Sequence, residues 1–156
     1  MTITQLHAIF LTCPKISTDT RKIEKDCIFF ALKGDNFNGN EYAAQALEKG
    51  AAYAVIDQEQ YNISDKTILV DDVLQSLQEL ATFHRNHCKA KIVSLTGSNG
   101  KTTTKELINV VLSKKYRTVA TKGNRNNHIG VPLTLLSITP DTEIAVVEMG
   151  ANHQKE

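Results

Sequence analysis

Apolar and polar positions along this chain follow two periods in turn. Leu6, Ile9 and Phe10 recur at helical spacing and predict a short first helix, while the unbroken apolar run 27–32 (CIFFAL) predicts a buried strand. A glycine-punctuated loop, 34–39, follows. Residues 41–49 read as a helix with Ala43, Ala44 and Leu47 on its inner face, closed by Gly50 where helices favour a left-handed residue. Strands are expected over 51–56 and 66–70. Asp72, with Gln75 three residues on, is placed to cap a helix whose stripe is Val73, Leu77, Leu80, Ala81 and His84, ending near His87.

Near Lys89 the pattern restarts, with a strand over 92–96, a glycine-rich turn, a helix over 102–113, a strand over 118–120, a polar loop and a strand over 144–147. A boundary between Asn86 and Ala90 divides the chain into domains 1–88 and 89–156. Alternation of strand and helix argues for an α/β fold with parallel sheets covered by helices. The second unit offers fewer strands than an open α/β nucleotide-binding sheet usually has, so the chain reads as truncated.

Composition narrows the function classes. Hydrophobic residues make up 41% and charged residues 22% of 156, which suits a globular protein rather than a disordered or fibrous one. Net charge is +1, so no global field draws the chain toward nucleic acid or an anionic membrane, and any anion site must be local. Cys13, Cys27 and Cys88 are widely spaced and form no CxxC pair, which favours free thiols over a disulfide framework or a zinc site. The start lacks a basic leader, and no stretch approaches the ~20 apolar residues that span a bilayer, so no membrane insertion and a cytoplasmic location are expected.

The sharpest chemical signal is Gly97, Ser98, Asn99, Gly100, Lys101, Thr102 and Thr103, between an apolar strand and an amphipathic helix. Phosphate oxygens need many donors at close range. Glycines let backbone N–H groups turn inward, and the helix start adds its positive end. Lys101 supplies a point charge and Thr102 a hydroxyl for Mg²⁺. The loop reads GxxGKT, with Leu95 where the general GxxxxGK[ST] pattern has its first glycine.

The apolar strand ending in Glu148 sets an acid at the carboxyl edge of the sheet, where nucleotide sites form, and Glu148 is a candidate Mg²⁺ ligand. An ordinary acidic strand end is the alternative. Between these, 122–132 is dense in amide side chains, Asn126 and Asn127 among them, and reads either as a phosphate- and water-bridging segment or as a solvent loop. His84 and His87 lie three apart on a predicted helix without an evident third ligand, and His84 continues the apolar stripe. His128 and His153 read as loop histidines near the site or as plain surface residues. Lys114, Lys115 and Arg117 complement a helix end and are too few for a nucleic-acid patch.

Taken in order, TGSNGKTTTKE, GNRNNHIGVPLTLL and VVEMGANH resemble the central domain of the Mur ligase family. Upstream, Ser17, Thr18, Asp19, Thr20 and Arg21, then IFFALKG and the segment 34–39, are similar to that family's uridine-nucleotide-binding amino-terminal domain, so the resemblance covers essentially the whole chain. Within the family, GSNGKTTTKE, NNHIGVPLTLL and EMGANH are most like the branch that adds D-alanyl-D-alanine. The resemblance implies a small amino-terminal α/β substrate domain followed by the truncated start of a parallel-sheet P-loop ATPase domain. It implies an ATP- and Mg²⁺-dependent ligase joining D-alanyl-D-alanine to UDP-N-acetylmuramoyl tripeptide through an acyl phosphate, with the fragment alone inactive. By position, Lys101 would contact the β- and γ-phosphates, Thr102 and Glu148 would hold Mg²⁺, and Asn126 and Asn127 would lie beside the phosphates. Thr20, Asp35, Asn36 and Phe37 would contact the uridine part, although Asp19, Thr20 and Arg21 equally suit a capping turn. An amino-acid-adding Mur ligase, a P-loop module that hydrolyses nucleotide without ligation, and a UDP-sugar-binding module remain the alternatives.

Overall fold

Thr2 starts the first helix through a capping box: its Oγ1 accepts from Gln5 N at 3.3 Å, and Gln5 Oε1 accepts from Thr2 N at 2.9 Å. The resulting α1, Ile3–Thr12, buries Leu6, His7 and Phe10. The computed structural model describes residues 1–150. The first unit's main sheet has four short strands, of which β1 (Ile16–Ser17) and β2 (Ile28–Phe30) come first. After β2 the segment expected as a loop closes into an antiparallel hairpin, β3 (Lys33–Gly34) against β4 (Phe37–Asn38), with Asp35 and Asn36 at its turn.

A single 3₁₀ stretch, Gly39–Tyr42, leads into α2, Ala43–Glu48, which Gly50 (φ 105°) follows. The inner face of α2 carries Ala43 and Ala46, with Leu47 half-buried, while Ala44 is exposed. The expected phase was therefore wrong at Ala44, because the tighter 3₁₀ entry rotates the following turn relative to a helix that is α throughout. β5 (Tyr53–Ile56) and β6 (Thr67–Leu69) complete a parallel sheet in the order β1-β2-β5-β6. Strand alternation sends Cys27, Phe29 and Ala31 to one face, where they pack with Ala43, Ala46, Ala54 and Ile56. Ile28 and Phe30, also fully buried, take the opposite face, which is why this stretch is apolar without interruption.

Asp57, directly after β5, ties the hairpin and the next helix to this sheet. Its Oδ2 accepts from Lys33 Nζ at 2.8 Å and from Val73 N at 3.4 Å, and its Oδ1 accepts from Asn40 Nδ2 at 2.9 Å. Burial pushes the carboxyl up, but the bonds from Lys33, Asn40 and Val73 outweigh it and hold it below its usual value of 3.8. A carboxyl depressed in the folded state stabilises the protein above its unfolded value, and that contribution is lost as pH falls through the folded one. In urea unfolding, Asp57→Asn is expected to cost about 1–2 kcal/mol near pH 7, with the gap to wild type closing as the pH drops below the carboxylate range. A gap of unchanged size under acid conditions would assign the loss to packing instead.

α3, Val73–His87, begins where Asp72 Oδ1 accepts from Gln75 N at 2.7 Å, and it buries the expected stripe Val73, Leu77, Leu80, Ala81 and His84. The chain divides into two compact units after Leu80, inside this helix. The boundary read from sequence lies at its end. The end of α3 from Ala81 on belongs to the second unit, within which the His84 ring Nε2 lies 2.8 Å from Ile138 O and Cys88 packs with Ile138, Ala145 and Val147. All three cysteines are free.

The second unit follows with β7 (Lys91–Leu95), α4 (Lys101–Leu112), β8 (Thr118–Ala120), α5 (Gly130–Leu135) and β9 (Ile144–Glu148). Its strands are parallel in the order β7-β9-β8, which puts β9 in the middle and explains why it is the most buried of them. Val131 and Leu135 of α5 cover one face together with Ile138, and α4 packs against β8 and β9. The stretch expected to be a polar loop thus contains a helix. Pro132 sits in its first turn, where a missing N–H costs nothing, and Asn127 Oδ1 receives Gly130 N at 2.8 Å and Ile129 N at 3.3 Å.

Candidate nucleotide site and first-unit clefts

Parallel strands end at the same edge of a sheet, and here those ends gather the second unit's polar groups. After β7 the loop 96–100 runs exposed into α4, carrying Gly97, Ser98 and Asn99, with Gly100 at the N-cap. Gly100 has φ 76°, a conformation that a side chain would disfavour, and as the N-cap residue it gives the first amides of α4 no side-chain bond. Lys101 Nζ reaches back to Gly97 O at 2.6 Å, and Thr103 is exposed on the first turn.

Glu148, the last residue of β9, is 1% exposed. Its Oε1 accepts from Thr102 Oγ1 at 3.2 Å and from Asn126 Nδ2 at 2.8 Å. Among the described residues its Oε2 has no hydrogen-bond partner. A buried carboxylate oxygen left over beside a threonine hydroxyl is a hard-oxygen donor set of the kind Mg²⁺ takes, so the residues present fit that ion.

The three sequence candidates Thr102, Asn126 and Glu148 therefore meet directly. Asn127 does not join them through its carbonyl, which caps α5. Gly130 is packed so tightly that a Cβ there would strike the Arg125 carbonyl, which holds the amide-rich segment close to the start of α5. Gly150 N donates to Asn126 O at 2.6 Å and fixes the other side of that asparagine. His128 is exposed, and His153 lies outside the described residues.

Two residues that the sequence reading passed over complete the arrangement. Thr121 Oγ1 accepts from Glu148 N at 2.9 Å, and the fully buried Lys105 Nζ donates to Thr121 O at 2.6 Å and Gly123 O at 3.0 Å. A lysine four residues after Lys101 lies on the same helical face, and that spacing was the available signal.

In the first unit, two clefts meet at a stacked pair, Phe37 and Tyr42, with ring centroids 5.4 Å apart and planes at 17°. One, of about 420 Å³, is lined by Asp35, Asn36 and Phe37 with Lys33 and Gln58. The other, of about 670 Å³, is lined by Thr20, Phe37, Tyr42, Gln45 and Lys49 with the Asp19 turn. Phe37 is the one predicted uridine residue common to both clefts. Thr20 opens a 3₁₀ turn that Asp19 caps through Arg21 N at 2.9 Å, so the capping alternative for this segment holds locally. The Arg21 side chain, hydrogen-bonded to Asp19, lowers that carboxyl to about 2.

Residues 14–86 match the Mur ligase family, catalytic domain, and residues 95–156 match the Mur ligase middle domain. The UDP-N-acetylmuramoyl-tripeptide--D-alanyl-D-alanine ligase of Bacillus subtilis (strain 168) is 46% identical over 90% of this chain and 31% of its own length. The enzyme of that name from Escherichia coli (strain K12) is 42% identical over 97% of this chain and 33% of its own. Among solved structures, MurF from Acinetobacter baumannii superposes with a TM-score of 0.82 at 38% identity, covering 91% of this chain and 31% of that one. MurF from Thermotoga maritima in complex with ADP gives 0.80 at 32% identity, covering 92% of this chain and 33% of that one. The chain thus spans about a third of the length of the relatives it matches. With both units matched in chain order and the α/β fold shared with solved members, the chain belongs to the Mur ligase family.

Proposed function

We propose that this chain forms the uridine-nucleotide-binding part, and the start of the ATP-binding part, of a ligase that adds D-alanyl-D-alanine to UDP-N-acetylmuramoyl tripeptide. The observation that carries the reading is the buried Glu148 carboxylate beside Thr102 at the start of α4, one oxygen still without a partner among the described residues. The relatives named above carry that activity in their names and supply the substrate choice.

A carboxylate is a poor electrophile. In the proposed reaction the tripeptide's terminal carboxylate oxygen attacks the γ-phosphorus of ATP, ADP leaves, and an acyl phosphate results. The amine of D-alanyl-D-alanine then attacks the acyl carbon, phosphate departs, and the nitrogen loses its proton. Lys101 offsets charge on the β- and γ-phosphates, and the backbone of Gly97, Ser98, Asn99, Gly100 and Thr103 donates to phosphate oxygens. Thr102 and Glu148 would hold Mg²⁺, which when bound draws charge from the transferring phosphoryl group. Asn126 orients Glu148, and Asn127 would address phosphate through its amide nitrogen. Thr20, Asp35, Asn36 and Phe37 line clefts sized for a uridine nucleotide, where the Phe37 and Tyr42 rings offer a stacking surface. Among the described residues no helix is long and apolar enough to cross a membrane, and we assign the reaction to the cytoplasm, where ATP is supplied. The domain division proposed for these tasks is 1–88 and 89–156.

The test is ADP release by the full-length protein. Sustained release over many turnovers should require UDP-N-acetylmuramoyl tripeptide and D-alanyl-D-alanine together, and isothermal titration of the chain of 156 residues should detect the muramoyl nucleotide binding. Sustained ADP release without any acceptor, or with single amino acids in place of the dipeptide, would overturn the reading.

A further inference from the structure

Lys105 is 0% exposed, and its ammonium has three acceptors: Thr121 O at 2.6 Å, Gly123 O at 3.0 Å and Glu106 Oε1 at 2.7 Å. That accounts for every N–H an ammonium carries. Burying such a charge is expensive, and a well-packed apolar side chain would stabilise a helix at least as well, so stability alone does not explain a lysine here. What the charge does is visible in its partners. Two of them are backbone carbonyls at the point where the chain leaves β8 and turns, Gly123 having φ 58°. Thr121 in turn receives Glu148 N at 2.9 Å through its hydroxyl and donates its own N to Val146 O at 3.0 Å. The loop then returns to Asn126, which holds Glu148 Oε1. Both routes from Lys105 end on Glu148, the one through Thr121 at its backbone N–H and the one through the turn at Gly123 and Asn126 at its carboxylate.

We propose that Lys105 is a positioning residue: it sets the loop after β8, and through Thr121 and Asn126 the orientation of Glu148 toward a divalent cation bound with nucleotide. The inference rests on the nucleotide-site reading above but not on the identity of the acceptor. Lys101 and Lys105 thus divide the work of one helical face, the first addressing phosphate and the second the carboxylate's support.

The experiment measures binding of a fluorescent ADP analogue to the full-length protein as a function of Mg²⁺, which reads the site whether or not ligation occurs. Lys105→Met should raise the half-saturating Mg²⁺ concentration about tenfold, the scale seen when support of a metal ligand is lost. Asn126→Ala should do the same, and the double variant should be little worse than either, because both act through one carboxylate. Binding of UDP-N-acetylmuramoyl tripeptide should stay unchanged. If Lys105→Met does not fold, Lys105→Arg, which keeps charge and donors in altered geometry, should fold and show a smaller shift in the same direction. An unshifted Mg²⁺ dependence in either folded variant, or fully additive effects of Lys105→Met and Asn126→Ala, would overturn the proposal. Absence of ligation by the wild type with the Mg²⁺ shift intact would instead count against the ligase reading and leave Lys105 supported.

Discussion

Lys101→Ala is expected to lower ATP turnover by the full-length protein about a thousandfold while leaving the muramoyl nucleotide's affinity within about twofold. The two readouts separate because the residues concerned belong to different units. Lys101 opens α4 in the second unit, and Phe37, Tyr42 and Thr20 line clefts in the first. Alanine removes the charge that would offset the β- and γ-phosphates, and it also releases Gly97 O from the Nζ bond that holds the loop. Lys101→Arg keeps a cation but replaces a compact ammonium with a planar fork, so it should recover little turnover. ADP-release kinetics and isothermal titration with the uridine substrate check both halves. Equal loss of turnover and uridine binding would mean that the variant misfolds or that the clefts are wrongly assigned.

The parts of the candidate site that were legible in sequence are those encoded locally. The loop around Lys101 needs glycines and a helix start within a few residues, and Glu148 needs only an apolar strand before it, so both stand out without any knowledge of tertiary contacts. The stripe from Val73 to His84 was legible for the same reason, since a long helix repeats its signal. What failed was either short or non-local. α5 spans Gly130–Leu135, too short for a period to register. Ala44 was misplaced because the 3₁₀ entry over Gly39–Tyr42 changes the phase, which composition does not encode. Lys105 was passed over. Its burial depends on carbonyls at Thr121 and Gly123, supplied by a strand end that meets α4 only in the folded sheet.

Glu148→Gln is expected to move stability and binding in opposite directions. Without nucleotide or Mg²⁺, the wild-type carboxylate is 1% exposed and carries one oxygen with no partner among the described residues, an arrangement costly for a charge. Glutamine keeps the shape and leaves an acceptor for Thr102 and Asn126 while removing the charge, so the variant should unfold at equal or higher denaturant concentration, by about 1 kcal/mol. The same change removes the anionic oxygen that a hard cation needs, and Mg²⁺-dependent nucleotide binding should weaken about a hundredfold. Turnover should fall with it. The opposing signs are the informative part: a residue kept for the fold loses stability when changed, whereas one kept for a ligand gains stability and loses the ligand. Urea unfolding and Mg²⁺ titration of nucleotide binding on the same preparation decide between them. A variant that is less stable yet binds Mg²⁺ and nucleotide as well as wild type would make Glu148 a structural anchor for Thr102 and Asn126 and remove the metal assignment.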